Sequence, residues 1–241
     1  MGLGGAIAAK GSLGLEVIRA DGSREKLRPL IEPHPWPAAT SLRDILANAM
    51  PQQGLADEIN DWRKANRRNL GRRLRKVLLA KWLGIPTHYG ALYLEVIRGD
   101  GTRLPYGLAS VAVVTDAGVN FIRDDFNAGG TDISNMKYHG FGTGSTAEAT
   151  SQTALVTELT TQYVTDNVRP TGTQATNGTG IYRTVGTLDP DADVTITEHG
   201  IFSATSSVTL LDRSVFTGIA LVGATGDTLQ ATYDFTMTSG G

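Results

Sequence analysis

At 241 residues, with 40% hydrophobic and 19% charged residues, the chain is long enough for one or two domains with sizeable cores. It has no cysteine, which excludes disulfides, thiolate metal sites and a cysteine nucleophile. The net charge of -2 conceals an asymmetry. From His139 onward three arginines stand against ten acids, a net -7, so the first 138 residues carry +5. Such polarity suits a chain that shows different faces to different partners.

The opening run Met1-Gly-Leu-Gly-Gly-Ala-Ile-Ala-Ala-Lys10 is too short to span a membrane and lacks the charged start and longer apolar core of a secretory signal. It reads as an arm. Leu15-Glu-Val-Ile-Arg-Ala-Asp-Gly-Ser23 then returns as Leu94-Glu-Val-Ile-Arg-Gly-Asp-Gly-Thr102. In each copy an alternating β-branched run leads into Asp-Gly, the signature of a strand followed by a turn. Between the copies, Glu32-Pro-His-Pro-Trp-Pro37 has proline at alternate positions and should be extended. Ser41 and Asp44 resemble a capping box for a short helix ending before Pro51. A longer helix is expected from about Leu55 to Leu83, with Leu55, Ile59, Trp62, Leu70, Leu74, Leu78 and Trp82 at mostly helical spacing.

From Ala91 onward the pattern is β. Strands are expected at Tyr93–Arg98, Val111–Thr115, Lys137–Gly142, Tyr182–Leu188, Val194–Phe202, Thr209–Phe216 and Leu229–Met237, with a helix at Val119–Phe126. Turn chemistry separates them at Asp100-Gly101, Asn177-Gly178, Asp189-Pro190 and Gly226-Asp227. The expectation is therefore a mainly β protein: residues 91–241 form an antiparallel β-sandwich or jelly-roll module, and residues 1–90 form an extended arm with a basic helical insertion.

Chemistry-bearing patterns are weak. His34, His88, His139 and His199 stand apart in the sequence, without metal-ligand spacing. Glu198 and His199 are adjacent in a strand, so their side chains should leave on opposite faces. Gly140-Phe-Gly-Thr-Gly-Ser145 lacks the lysine that ends a phosphate-binding loop. Asp189-Pro-Asp-Ala-Asp193 lacks the glycine and distal glutamate of a calcium loop, and reads as an acidic hairpin tip. No catalytic residue, cofactor site or metal site is assigned. The sharpest local feature is basic: Arg63, Lys64, Arg67, Arg68, Arg72, Arg73, Arg75, Lys76 and Lys81 cluster on the long helix. Cations at that density neutralise either phosphates or an acidic protein surface. With Trp62 and Trp82 flanking them, the reading preferred is a partner-binding helix formed by Trp62, Arg63, Lys64, Arg67, Arg68, Arg72, Arg73, Arg75, Lys76 and Trp82.

Several phrases carry a resemblance: Val114-Thr-Asp-Ala-Gly-Val-Asn-Phe-Ile122, Lys137-Tyr-His-Gly-Phe-Gly-Thr-Gly-Ser-Thr-Ala-Glu148, Thr153-Ala-Leu-Val-Thr-Glu-Leu159, Ile181-Tyr-Arg-Thr-Val185, Ile196-Thr-Glu-His-Gly-Ile-Phe202 and Leu210-Leu-Asp-Arg-Ser-Val-Phe216. Over about the last three-fifths of the chain, these resemble structural proteins of tailed-bacteriophage virions. Residues 24–90 depart from that pattern. The resemblance implies a non-enzymatic capsid decoration (cement) protein, with a tail, neck or fibre-anchoring protein as the alternative and a nucleic-acid-binding internal head protein as a second. The implied partners are the major capsid protein, other virion proteins and further copies of this chain, with no membrane. The implied location is the virion, assembled in the host cytoplasm.

Overall fold

The computed structural model describes residues 16–18, 24–26, 49–52, 55–83, 88–127, 132–164, 168–206 and 208–237. By its contacts the chain divides into two units, Met1–Pro35 and Trp36–Gly241. In the first, β1 (Glu16–Ile18), which belongs to the first copy of the repeated phrase, pairs antiparallel with β2 (Arg24–Lys26). The expected proline-rich segment lies outside the described residues, as does the short helix before Pro51 except for Ala49 and Met50.

The second unit opens with α1 (Asp57–Trp82) and continues with β3 (His88–Ile97), β4 (Arg103–Val114) and α2 (Asp116–Phe126). A 3-10 turn at Ile133–Asn135 leads to β5 (Tyr138–Gly142), β6 (Thr173–Thr176) and β7 (Ile181–Leu188). The chain then forms β8 (Val194–Phe202), β9 (Leu210–Leu221) and β10 (Thr228–Met237). The protein is mainly β and antiparallel, as expected. Strands β3 to β10 form one sheet in the order β5-β8-β9-β4-β3-β10-β7-β6. It curls into a half-barrel whose two ends approach each other. The Gly172 amide donates to the Lys137 carbonyl at 2.7 Å and the His139 amide to Pro170 at 2.9 Å, strapping the lead into β6 onto β5.

Local sequence explains most of this. The second copy of the phrase forms the end of β3 and its turn; along that strand Leu92, Leu94 and Val96 alternate inward and are fully buried. Its Asp-Gly turn closes with the Gly101 amide donating to the Arg98 carbonyl at 2.7 Å, and Gly101 takes the left-handed φ of 85° that a side chain would resist. Thr115 caps α2, its hydroxyl accepting the Gly118 amide at 2.9 Å. Strand β6 was not foreseen: Thr173-Gln-Ala-Thr176 has no hydrophobic alternation, because all four residues are exposed on a sheet edge.

The core lies inside the curl. Leu92, Leu94, Phe141, Leu188, Ile196, Phe216 and Leu229 fill one end, and Met136, Ile201, Leu211, Tyr233 and Phe235 fill the other. Burial of each large side chain contributes about 1.5–3 kcal/mol. The sheet is incomplete at one place. Strands β4 and β9 pair only at Val113–Arg213 and Val114–Asp212. Register shifts against β3 also leave Tyr106 and Ala109 of β4 without partners on that side.

Helix α1 supplies what is missing. Asn66 donates from Nδ2 to the Ala109 carbonyl (2.7 Å), and its Oδ1 accepts the Thr217 amide (2.9 Å), bridging β4 and β9 as a ladder rung would. Trp62 Nε1 donates to the Thr217 carbonyl at 2.8 Å. Arg63 donates to the carbonyls of Tyr106 (2.9 Å), Met50 (2.9 Å) and Pro105 (3.1 Å). Leu70 and Leu74 close the contact against Tyr89, Tyr93, Leu108 and Val111. The division expected at residue 90 therefore falls elsewhere: the basic helix is an integral layer of the β unit, and the chain parts after Pro35.

If Asn66 serves as a rung, Asn66→Ala orphans one backbone carbonyl and one amide. It should cost about 3 kcal/mol, read as a shift of the denaturation midpoint. A loss no larger than that of an exposed helix substitution would refute the bridging role.

Candidate interaction surface

The ten residues expected to bind a partner are divided by the structure. Trp62 (7% exposed) and Arg63 (2%) face inward, bound to the sheet's own backbone, so neither is available to a partner. This corrects the reading of α1 as one uniform contact helix, and the reason is the unpaired backbone of β4 and β9. Arg73 is engaged too: its Nη2 lies 2.9 Å from Glu148 Oε2, both side chains being largely covered. Lys64 reaches only Asp61, 2.8 Å away and one turn back, in an exposed pair of little energetic worth. The side chains of Arg72 and Lys81 lie outside the described parts of the helix.

What remains outward is compact. Arg67, Arg68, Arg75 and Lys76 are exposed along one side of α1. At its end, Leu79 (55%), Trp82 (81%) and Leu83 (53%) present apolar surface to solvent. A cationic stripe thus runs into a hydrophobic cap, on a helix whose opposite side is fastened to the sheet. This combination fits an acidic protein surface with an apolar recess. The stripe alone would also attract a polyanion.

A second exposed apolar feature is a groove of about 420 Å³ between α2, the 3-10 turn and β10, lined by Ile122, Phe126, Ile133, Met136, Phe235 and Met237. Among the described residues, no group of three or more His, Asp or Glu is placed to hold a metal ion, the acidic run Asp189–Asp193 included. Among the described residues, no helix is long and apolar enough to cross a membrane.

Folding also gathers polar groups that are distant in sequence. Glu198 and Arg213, on β8 and β9, are both fully buried; Arg213 Nε donates to Glu198 Oε2 at 2.7 Å. Arg213 Nη2 is equally close to that oxygen, 2.7 Å, though off the line of its N–H bonds. The Glu198 carboxylate also accepts the amides of Gly144 (3.0 Å), Val156 (3.1 Å) and Thr157 (2.7 Å). Arg213 Nη1 reaches the Thr146 carbonyl at 2.9 Å and Gln152 at 3.2 Å. The glycine-rich loop that superficially resembles a phosphate cradle thus does bind an anion, the protein's own carboxylate. Gly142 and Gly144 are needed because a Cβ on either would overlap Glu198. Sequence could not reveal this, since the anion arrives from residue 198.

The other gathering is histidine. His139 Nδ1 and His199 Nε2 are 3.0 Å apart, and His139 Nε2 lies 3.2 Å from the Thr184 hydroxyl. A hydrogen bond between two ring nitrogens requires one protonated and one bare nitrogen, so both rings cannot be charged. Burial pushes His139 down to about 3, and burial together with the His139 ring pushes His199 well below its ordinary value. Nearby, burial raises Asp212 to about 7, against the opposing effect of the Tyr233 hydroxyl. In the sequence these side chains were passed over or read without the partners that the fold gives them. Strand spacing predicts faces, but not which strands meet.

Two predictions follow from these buried groups. Arg213→Met leaves a carboxylate unpaired in the core and should cost about 3–5 kcal/mol, measured by chemical denaturation; a loss below about 1 kcal/mol would show the pair to be dispensable. The second concerns pH. Unfolded histidine binds a proton below about pH 6.5 while the folded pair stays neutral, so each ring withdraws stability as pH falls, by about 1.4 kcal/mol per pH unit. Asp212 acts oppositely, because the folded carboxyl keeps, up to about pH 7, a proton that the unfolded one releases near pH 4. These three groups together make stability rise by about 1.4 kcal/mol per unit from pH 4 to 6. In Asp212→Asn the slope should double to about 2.7 kcal/mol per unit. An unchanged slope in denaturation curves across that range would mean that Asp212 is ionised in the fold.

No family model, curated protein or solved structure matches this chain.

Proposed function

We propose that this chain is a non-enzymatic structural protein of a tailed-bacteriophage particle, and within that class a capsid decoration (cement) subunit. One observation carries the reading: the outer side of α1, where Arg67, Arg68, Arg75 and Lys76 lead into Leu79, Trp82 and Leu83, is built for contact while its inner side is held by the sheet. A large exposed tryptophan beside leucines and arginines has the composition of an interface anchor. The virion phrases between Val114 and Phe216 support the same reading. Four of them contain groups that brace the β unit: Glu148 and Glu158 by ion pairs with Arg73 and Arg169, and the Glu198–Arg213 pair itself.

A decoration subunit gains its effect from number. Many weak contacts, repeated by the symmetry of a shell, lock neighbouring capsid subunits through effective concentration. A rigid sheet carrying a two-part contact helix suits that task. The tail, neck or fibre-anchoring role uses the same surfaces at lower copy number. The internal, nucleic-acid-binding role is favoured by the exposed cations alone and would make no use of Trp82.

Two measurements test the proposal. Quantifying this chain against the major capsid protein in purified particles should give hundreds of copies; a handful, in threes or sixes, would move it to the tail, and absence from particles would reject the virion role. Rebinding of purified chain to particles lacking it should fall at least about tenfold, or 1.4 kcal/mol, in Trp82→Asp, whose exposed position leaves thermal stability unchanged. Unaltered rebinding would remove the helix end from the contact.

A further inference from the structure

Gly71 is the residue of α1 that packing does not explain. Glycine is among the poorest helix formers, and here it sits in the middle of a 26-residue helix. A Cβ at that position would meet nothing within 4 Å. Alanine would fit and would favour the helix. The effect of glycine is on the surface: with Arg67, Arg68 and Arg75 around it, Gly71 leaves a notch of about 330 Å³. Residues 67, 71 and 75 follow one another at four-residue intervals along one row of the helix. Two arginines therefore stand either side of the gap, about 12 Å apart along the axis at 1.5 Å per residue.

The helix dipole does not account for these cations. It favours positive charge only within the last turn, and Arg67, Arg68 and Arg75 lie well before Trp82. Nor do partners within the chain, since among the described residues no acid is within ion-pair distance of the three.

A matching shape of opposite sign exists on the same molecule. The loop between β7 and β8 carries Asp189, Asp191 and Asp193, all exposed and likewise without a cation partner among the described residues. Its backbone is braced: the Asp189 carbonyl accepts the Val164 amide at 3.0 Å, Pro190 is buried, and Ala192 lies directly against Gly223. Four residues of chain span at most about 14 Å, so the outer carboxylates can match the arginine spacing. The loop cannot reach the notch of its own copy. It adjoins the 223–227 segment, where Asp227 shares Arg98 with Glu58 at the start of α1. Glu58 is about 20 Å from Gly71 along the helix, beyond twice the screening length of roughly 8 Å at physiological salt. Attraction between the two features therefore acts between molecules.

We infer that copies of this chain join head to tail, the Asp189–Asp193 tip of one seating in the Gly71 notch of the next. The contact is heterologous, so it propagates into a ring or a chain rather than stopping at a dimer. The tip is held in shape before binding, which lowers the ordering cost of each contact. It uses the cationic side of α1 and leaves the Trp82 cap for a different partner. It therefore stands whether or not the virion reading does.

Sedimentation velocity on the purified full-length chain tests it. At about 0.01 M salt, where the Debye length is roughly 30 Å, oligomers larger than dimers are expected, and they should dissociate at about 1 M, where it is roughly 3 Å. Two triple variants, Arg67→Glu/Arg68→Glu/Arg75→Glu and Asp189→Lys/Asp191→Lys/Asp193→Lys, should each be monomeric; mixed together they should associate again, because the native tip of the first meets the native notch of the second and the two reversed faces also attract. Each variant mixed with wild type should instead cap chains and shift the distribution to smaller species. Gly71→Gln gives a readout that a structural role would not move: the melting temperature should stay level or rise while self-association weakens at least about tenfold, a 1.4 kcal/mol change. A wild-type chain that remains monomeric at low salt would overturn the proposal. So would oligomers that survive in both folded triple variants, or Gly71→Gln associating as wild type does.

Discussion

Backbone groups must find partners once water is excluded, and this sheet cannot satisfy all of its own. β4 and β9 meet over two residue pairs and then diverge, with two irregularities in β4 adding unpaired positions. The cost of leaving such groups bare, roughly 1–3 kcal/mol each, is what holds α1 in place. Trp62, Arg63 and Asn66 answer that demand from one side of the helix with six hydrogen bonds to backbone. Because that side is committed, the helix can rotate neither its cations inward nor its tryptophan cap away from solvent. The presented surface is thus a consequence of a defect in the ladder.

A second buried demand lies on β8 and β9. Glu198 would be intolerable at full burial were it not matched by Arg213 and three amides. Through them the carboxylate organises the loop from Gly144 to Thr157, and Glu148 of that loop returns to bind Arg73 on α1 and the Val215 amide. Loop, β8, β9 and helix are joined by one set of charge-assisted hydrogen bonds, stronger than neutral ones. The histidine pair is different in kind. Burial holds both rings neutral, so the pair ties the fold to neutral pH instead of bracing a loop.

Much was legible in the residues. Alternation marked β3, β7, β8, β9 and β10, Asp-Gly and Asn-Gly marked their turns, and the spacing of Ile59, Trp62, Leu70 and Leu74 marked the buried side of α1. These signals are local, because side-chain period reports which face of an element is apolar. The same reasoning placed Arg63 wrongly, since a cation on a helix normally seeks water. It missed β6 as well, whose exposed edge needs no apolar pattern.

Sequence by itself therefore determined the mainly β character, the helices, the turns and the separation of basic from acidic segments, all of which depend on neighbours within a few positions. Tertiary structure alone decided which cations remained outside, which carboxylate filled the glycine loop, and that His139 would meet His199. Those outcomes depend on strand order and register, which bring together residues 15 to 155 positions apart. No spacing rule along the chain encodes that meeting; it is set by how the sheet curls and where its ladder fails.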